Sequence, residues 1–319
     1  MSSWRWPLAA LAGILLFNFL FTPGFFTVTV MDGHLFGSLV DIVNHSVPTM
    51  LVALGMTLVI ATGGIDLSVG AIIAITGALA ALGVTKGSRP FAMVLFEAIG
   101  IAGLLGLWNG FLVGIARVQP IVATLVLLVA GRGIAQLLGG GQVINFTDAN
   151  LVFFGGYLFG LPFSFTLLAC ALVALVLLTR KTALGLFIEC VGNNPVASRF
   201  TGINVRTIRL TVYLVSGLCA GLAGLLIVGQ TKSADSNNAG LYIELDAILA
   251  VVIGGSPLAG GKFNFVGTLL GAAMIQALTT TILTRGVPSE WTLVVKAVLV
   301  FAVALLQSEA LPKLRRRPA

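Results

Sequence analysis

The chain has 319 residues, 58% of them hydrophobic and only 9% charged, and its mean hydropathy is +1.07. A soluble domain carries about 25% charged residues, so this composition excludes a water-soluble enzyme and fixes an integral membrane protein. The net charge of +7 gathers in a central loop and in the tail Lys313, Arg315, Arg316 and Arg317, which excludes a nucleic-acid surface and follows the positive-inside rule.

In chain order, residues 7–26 read as a first apolar segment, an uncleaved anchor because no small-x-small cleavage site follows. Residues 27–41 hold Asp32 and Asp41 and no basic residue, as suits the outer side. A second span over 42–62 stops at Gly63-Gly64, and a third starts near Asp66-Leu67-Ser68 and runs to about residue 84. Further spans are expected over 91–116, 120–138, 164–179, 209–229, 246–256, 265–283 and 291–308, with an outer excursion at 139–163. About 20 residues cross the ~30 Å hydrocarbon layer, so most suffice, while 246–256 is too short alone and reads as broken or re-entrant. The whole is an all-α polytopic bundle of about ten transmembrane helices, one permease domain over 1–319 with both termini cytoplasmic. That topology puts 12 of the 18 Lys and Arg residues inside and four (Lys86, Arg89, Lys232, Arg285) outside.

Residues 180–209 form the one long polar interval, with Arg180, Lys181, Arg199, Arg206 and Arg209 against the single acid Glu189. Within it, residues 182–190 read as a short amphipathic helix broken by Asn193-Asn194-Pro195. Its apolar Leu184, Leu186, Phe187 and Ile188 suit a groove on a partner, with Glu189 at the rim and Gly192 as cap. The bland alternative is a loop held by anionic lipid headgroups.

Within the membrane, Gly63, Gly64, Asp66 and Ser68 mark a helix break where Asp66 either caps the next helix or belongs to a solute path. A second break, at residues 254–261, weakly suggests an internal repeat of the kind transporters use. Glu97, Asn109, Arg132, Gln136, Gln276 and Lys296 are further intramembrane polar groups. Glu97 and Arg132 are expected to pair, and Lys296 to snorkel outward. Gly255 to Lys262 resembles a phosphate loop only briefly, since its glycine spacing is one residue too long and no Ser or Thr follows the lysine. Cys170, Cys190 and Cys219 show no disulfide or zinc spacing, His34 and His45 are isolated, and no catalytic set or cofactor motif is present.

The run Ile60-Ala-Thr-Gly-Gly-Ile-Asp-Leu-Ser-Val-Gly70 resembles the signature of ribose-type sugar permeases of bacterial ATP-binding-cassette importers, a family within the branched-chain-transport superfamily. So do Leu107-Trp-Asn-Gly110, the stretch from Gln119-Pro120 to Arg132-Gly133, and Glu244-Leu-Asp-Ala-Ile248 through Gly254-Gly255. Glu189, Gly192, Asn194, Ala197 and Gly202 follow the order of that family's contact loop, while Cys190 and Ser198-Arg199 depart from its alanine-rich pattern. Met31-Asp-Gly-His-Leu-Phe-Gly37 and Ala234-Asp-Ser-Asn-Asn-Ala-Gly-Leu241 resemble the galactofuranose branch. The resemblance implies a monosaccharide importer subunit of the inner membrane. An ATPase would sit on the loop at 180–209, a periplasmic sugar-binding protein would dock near Asn237, Asn238 and Glu244, and a second permease copy or sibling would complete the pair. The alternatives are a permease for ribose, xylose, arabinose or an autoinducer-type sugar, a proton- or sodium-driven secondary transporter using Glu97, Arg132 and Asp66 as a relay, or a passive channel.

Overall fold

The computed structural model describes residues 5–31, 34–86, 89–158, 160–288 and 291–298. Asp32, most of the expected last span and the basic tail lie outside the described residues. The chain forms α1 (Arg5–Phe21), a hairpin of β1 (Thr29–Met31) with β2 (His34–Phe36), then α2 (Ser38–Ala61), α3 (Val69–Thr85), α4 (Phe91–Gly114) and α5 (Pro120–Gly139). After it come β3 (Ile144–Asn145), α6 (Ala149–Val152), the small hairpin β4 (Tyr157–Leu158) with β5 (Leu161–Pro162), and α7 (Phe163–Arg180). The second half holds α8 (Leu184–Asn193), α9 (Pro195–Phe200), α10 (Val205–Thr231), β6 (Ser233–Ala234), α11 (Ile243–Ile253) and α12 (Phe265–Thr284). β6 pairs antiparallel with β3, tying the two halves together at one end of the bundle.

Among the described residues six helices are long and apolar enough to cross a membrane: α2, α4, α5, α7, α10 and α12. At 1.5 Å per residue the 24 residues of α2 span about 36 Å, whereas the 17 of α3 reach about 25 Å and the 11 of α11 only about 16 Å. The short helices begin inside the bundle, which is why α11 reads as a fragment of a span.

Several boundaries differ from expectation for local reasons. The first apolar segment stops at Phe21, where Thr22 begins a turn instead of continuing to residue 26. The loop helix starts two residues late because the Thr182 hydroxyl bonds back to the Leu178 carbonyl and accepts the Leu184 N–H at 3.2 Å. It runs on to Asn193. α10 starts four residues early, since the Asn204 side chain accepts the N–H groups of Arg206 and Thr207 at 3.2 and 3.3 Å. Arg206 and Arg209 therefore belong to α10, and the polar interval is shorter than the sequence suggests.

α10 is the central helix and packs on α2, α3 and α4 through bare backbone. A Cβ on Gly217 would lie 2.5 Å from the Ala102 carbonyl oxygen of α4, one on Gly55 2.8 Å from Ser216 Cα, and one on Gly224 2.8 Å from the Ile73 carbonyl oxygen. In hydrocarbon, where burying apolar surface gives helices no mutual drive, such close approach supplies the packing. Polar cross-links reinforce it: Asn18 donates to Thr281 at 2.7 Å between α1 and α12, and the Thr57 and Thr268 hydroxyls meet at 3.0 Å between α2 and α12. Large apolar side chains such as Phe96 on α4, Leu137 on α5 and Val173 on α7 face outward, as lipid-facing residues do.

Gly217→Ala is expected to destabilise the bundle by about 1–3 kcal/mol, because backbone of α4 must move to admit the methyl. Gly100→Ala on α4, with nothing within 4 Å of the new Cβ, should leave stability unchanged or slightly raise it through helix propensity. Thermal unfolding in detergent compares the two, and equal melting temperatures would contradict the packing argument.

Candidate translocation and coupling site

The first helix break is built around a buried carboxylate. α2 ends at Ala61, and Gly63, with φ of 76°, reverses the chain. A Cβ on Gly64 would lie 2.8 Å from the Tyr213 hydroxyl. Asp66 is 0% exposed. Its Oδ1 accepts from the Ser68 N–H at 3.1 Å, the Ser68 hydroxyl at 2.7 Å and the Asn109 amide at 3.4 Å, and its Oδ2 accepts from the Ser216 hydroxyl at 2.8 Å. Asn109 also donates to the Ser68 hydroxyl oxygen at 2.7 Å, and Tyr213 donates to the Ile65 carbonyl at 3.2 Å. The expected cap on α3 is therefore corrected. Ser68 occupies the cap position without a side-chain bond into the helix, and Asp66 joins the break to α4 and α10.

The second break lies against the first. Gly255, Gly260 and Gly261 have φ of 86°, 87° and 86°, values that only glycine adopts without strain. The Gly261 N–H donates to the Ala61 carbonyl at 2.9 Å, and a Cβ on Gly260 would lie 2.8 Å from the Gly63 nitrogen. The end of α8 closes this junction. A Cβ on Gly192 would overlap the Ala61 carbonyl oxygen and the Gly261 nitrogen, and the Asn193 amide donates to the Gly261 carbonyl at 3.2 Å and the Glu189 carbonyl at 2.9 Å.

On α8 the apolar residues divide between two faces. Ile188 is fully buried in the bundle, with Leu184 and Phe187 half-buried against the same cluster, so Ile188 cannot anchor a partner as expected. Leu186 is 63% exposed and Phe200, at the end of α9, 87% exposed. The Asn194 side chain starts α9 by accepting the N–H groups of Val196 and Ala197 at 3.0 Å, and Gly202, with φ of 85°, ends it. Arg117, Arg199 and Arg206 line a cleft of about 360 Å³ beside Gly202 and Asn204.

At the opposite end of α5, Asp235 organises a turn. It accepts the N–H groups of Asn237 and Asn238 at 2.9 and 3.3 Å, and the Asn238 amide at 2.7 Å. The Asn238 amide holds this carboxyl below the usual range, with burial opposing it. Asn237 and Asn238 are exposed there. Glu244 is only 7% exposed, which corrects its expected place on a docking surface, since a covered side chain cannot meet another protein. One expected pairing and one expected free side chain are also corrected. Glu97 binds Arg89 at 3.0 Å, while Arg132 donates to the Ala239 carbonyl at 2.6 Å; Lys296 binds Asp246 of α11 at 2.7 Å instead of snorkelling. Sequence reasoning missed Ser216 and Tyr213, and it placed Asn193 and Gly261 in breaks without the contact between them. A serine inside the apolar α10 was the available signal for the first.

The family profile described as branched-chain amino acid transport system / permease component matches residues 38–304. The galactofuranose transporter permease protein YtfT of Escherichia coli K12 is 51% identical, covering 96% of this chain and 91% of that protein. The fructose import permease protein FruF of Bifidobacterium longum is 37% identical over 96% of this chain and 88% of its own length. The ribose import permease protein RbsC of E. coli K12 is 38% identical over 90% and 88%. No solved structure matches significantly.

Ser216→Ala should destabilise the protein by about 1–3 kcal/mol, the cost of leaving a buried carboxyl oxygen without its partner. Asp66→Asn keeps one oxygen to accept from Ser68 and turns an NH2 toward Ser216, whose hydroxyl can accept from it, and should fold. Asp66→Leu leaves three buried polar groups without their acceptor and should not give a monodisperse membrane protein. The recovered, detergent-stable yield of each variant measures this, and a stable Leu variant would remove the carboxylate from its structural role.

Proposed function

This chain belongs to the branched-chain amino acid transport system permease component family, and we propose that it is the membrane subunit of a bacterial ATP-binding-cassette importer for a monosaccharide, galactofuranose in the first instance. It is a multi-pass protein of the inner membrane. The observation that carries the reading is the 51% identity, along almost the whole chain, to a galactofuranose permease. The lower identities to ribose and fructose permeases support the sugar class and keep another monosaccharide as the alternative substrate.

In this reading the bundle crosses the membrane about ten times with both termini in the cytoplasm, and α8 and α9 lie on the cytoplasmic side with most of the basic residues. An ATPase subunit docks on the loop at 180–209, with the exposed Leu186 and Phe200 and the half-buried Glu189 as its contacts. Leu184 and Phe187 hold α8 on the bundle. Gly192 passes movement of α8 to the two breaks, because no side chain cushions it from Ala61 and Gly261. Asn194 and Gly202 fix the loop's shape. A second permease subunit completes the pathway, and a periplasmic binding protein meets the turn at Asn237 and Asn238. An ion-driven relay is disfavoured because Glu97, Arg132 and Asp66 make separate contacts.

Proteoliposomes holding this chain alone should take up no sugar under a proton or sodium gradient, and uptake should require ATPase, ATP and binding protein together. Uptake driven by an ion gradient would overturn the importer reading. Leu186→Ala and Glu189→Lys should each reduce co-purification of the ATPase about tenfold, whereas neutralising Arg199 and Arg206 should not. Gly192→Ala should keep the ATPase bound but abolish uptake. Loss of the ATPase only in the arginine variant would place the contact elsewhere.

A further inference from the structure

After β6 the chain turns back into the bundle. Ser236 packs over Gly139 at the end of α5, while Ala239 is level with Arg132, seven residues and therefore about 10 Å farther down the same helix. α11 starts at this depth, and so does α3. Gly240 and Tyr242 both take positive φ, at 64° and 63°, to make the turn into α11; for tyrosine that conformation is strained.

Four groups converge at this point. A Cβ on Gly70, the second residue of α3, would lie 2.6 Å from Glu244 Oε2, 2.6 Å from the Gly240 carbonyl oxygen and 3.2 Å from Arg132 Nη2. Because Gly70 carries no side chain, the carboxylate, the Gly240 carbonyl and the guanidinium all close in on the backbone of α3 at this point. Glu244 and Arg132 approach it from α11 and α5 without forming an ion pair with each other. Glu244 Oε2 is buried and has no hydrogen-bond partner, and neither has the buried Ser236 hydroxyl on the same segment. A buried carboxylate oxygen left open is costly, so its retention calls for an occupant. A cation would face Arg132 and an anion would face Glu244, so neither fits. A hydroxyl group fits both, donating to the carboxylate and accepting from the guanidinium.

We propose that Glu244 and Arg132, over Gly70, form a station for one hydroxyl of a neutral sugar passing through the bundle, with Ser236 as a polar contact on the way to it. This rests on the importer reading above and assigns it a specificity-determining pair. Such a position, where two interrupted helices begin within the bundle, suits a solute that must shed water without meeting a wholly apolar wall.

The test uses the complete transporter, reconstituted with its ATPase and binding protein, and uptake of galactose (which includes a furanose form in solution) against its monodeoxy analogues. Comparing the wild type with Glu244→Met, using the same binding protein, cancels the binding protein's own selectivity. The variant should take up galactose about tenfold more slowly, while one monodeoxy analogue is taken up at the wild-type rate, so that discrimination at a single hydroxyl disappears. Glu244→Gln keeps the side-chain volume and a polar end, and should show the same loss in smaller degree if the methionine variant fails to assemble. Equal proportional loss for every sugar, or no change, would overturn the proposal and leave Glu244 holding only water. A wild-type transporter that moves no monosaccharide would overturn the importer reading as well.

Discussion

The fold depends on a carboxylate held where water is excluded. An ionised Asp66 without partners would carry a desolvation penalty of several kcal/mol, larger than any one helix contact could offset. Its oxygens are satisfied only because Ser68, Asn109 and Ser216 arrive from the break, α4 and α10 together. Meeting that demand fixes where α2 must stop and how closely α4 and α10 must approach. The bare Gly217 and Gly106 are the means of that approach, since a side chain at either would push the helices apart and pull a donor from Asp66. Glycine packing and the buried polar knot therefore belong to one device.

The same logic operates at the junction of the two breaks. Ala61, Gly63, Gly260 and Gly261 meet backbone to backbone, and Gly192 from α8 closes the contact. Contacts of this kind have little slack, because main chain cannot change rotamer to absorb a displacement. A movement of α8 would thus be passed on instead of dissipated, which is the property a coupling element needs.

Much of this was readable from residues. The composition places the protein in the membrane, and the two Gly-Gly pairs mark both breaks. The short apolar run at 246–256 marks the half-length α11. Partner choice was not readable. Glu97 and Arg132 share a depth by span counting, yet Arg89 lies beside Glu97 and the returning segment brings Ala239 to Arg132. Lys296 looked free to snorkel because nothing local reveals Asp246 on another helix. Glu244 sits in a polar stretch that reads as an external loop, but that stretch folds inward, and one-dimensional hydropathy cannot see a re-entrant turn. Its neighbours Asn237 and Asn238 do stay exposed, so the same motif is part surface and part interior.

The position of α11 connects these observations. Its C-terminal end, at Gly254, leads into the second break, whose Gly261 lies in the junction that Gly192 closes, and its second residue is Glu244. Eleven residues of helix make a rod of about 16 Å, and a helix that short tilts as a unit instead of bending. The Asp246–Lys296 pair near its upper end offers a fulcrum that is half-buried and specific. A tilt about that point, driven from the α8 end, would move the Glu244 carboxylate relative to Arg132, which is held separately by the Ala239 carbonyl. The separation of the carboxylate and the guanidinium beside Gly70 would then change with the state of the loop. A full-length helix in the same place would be gripped by packing along its whole length and could not act this way. An interrupted span would in this way let one bundle keep a rigid polar centre at Asp66 and still move a group at Glu244.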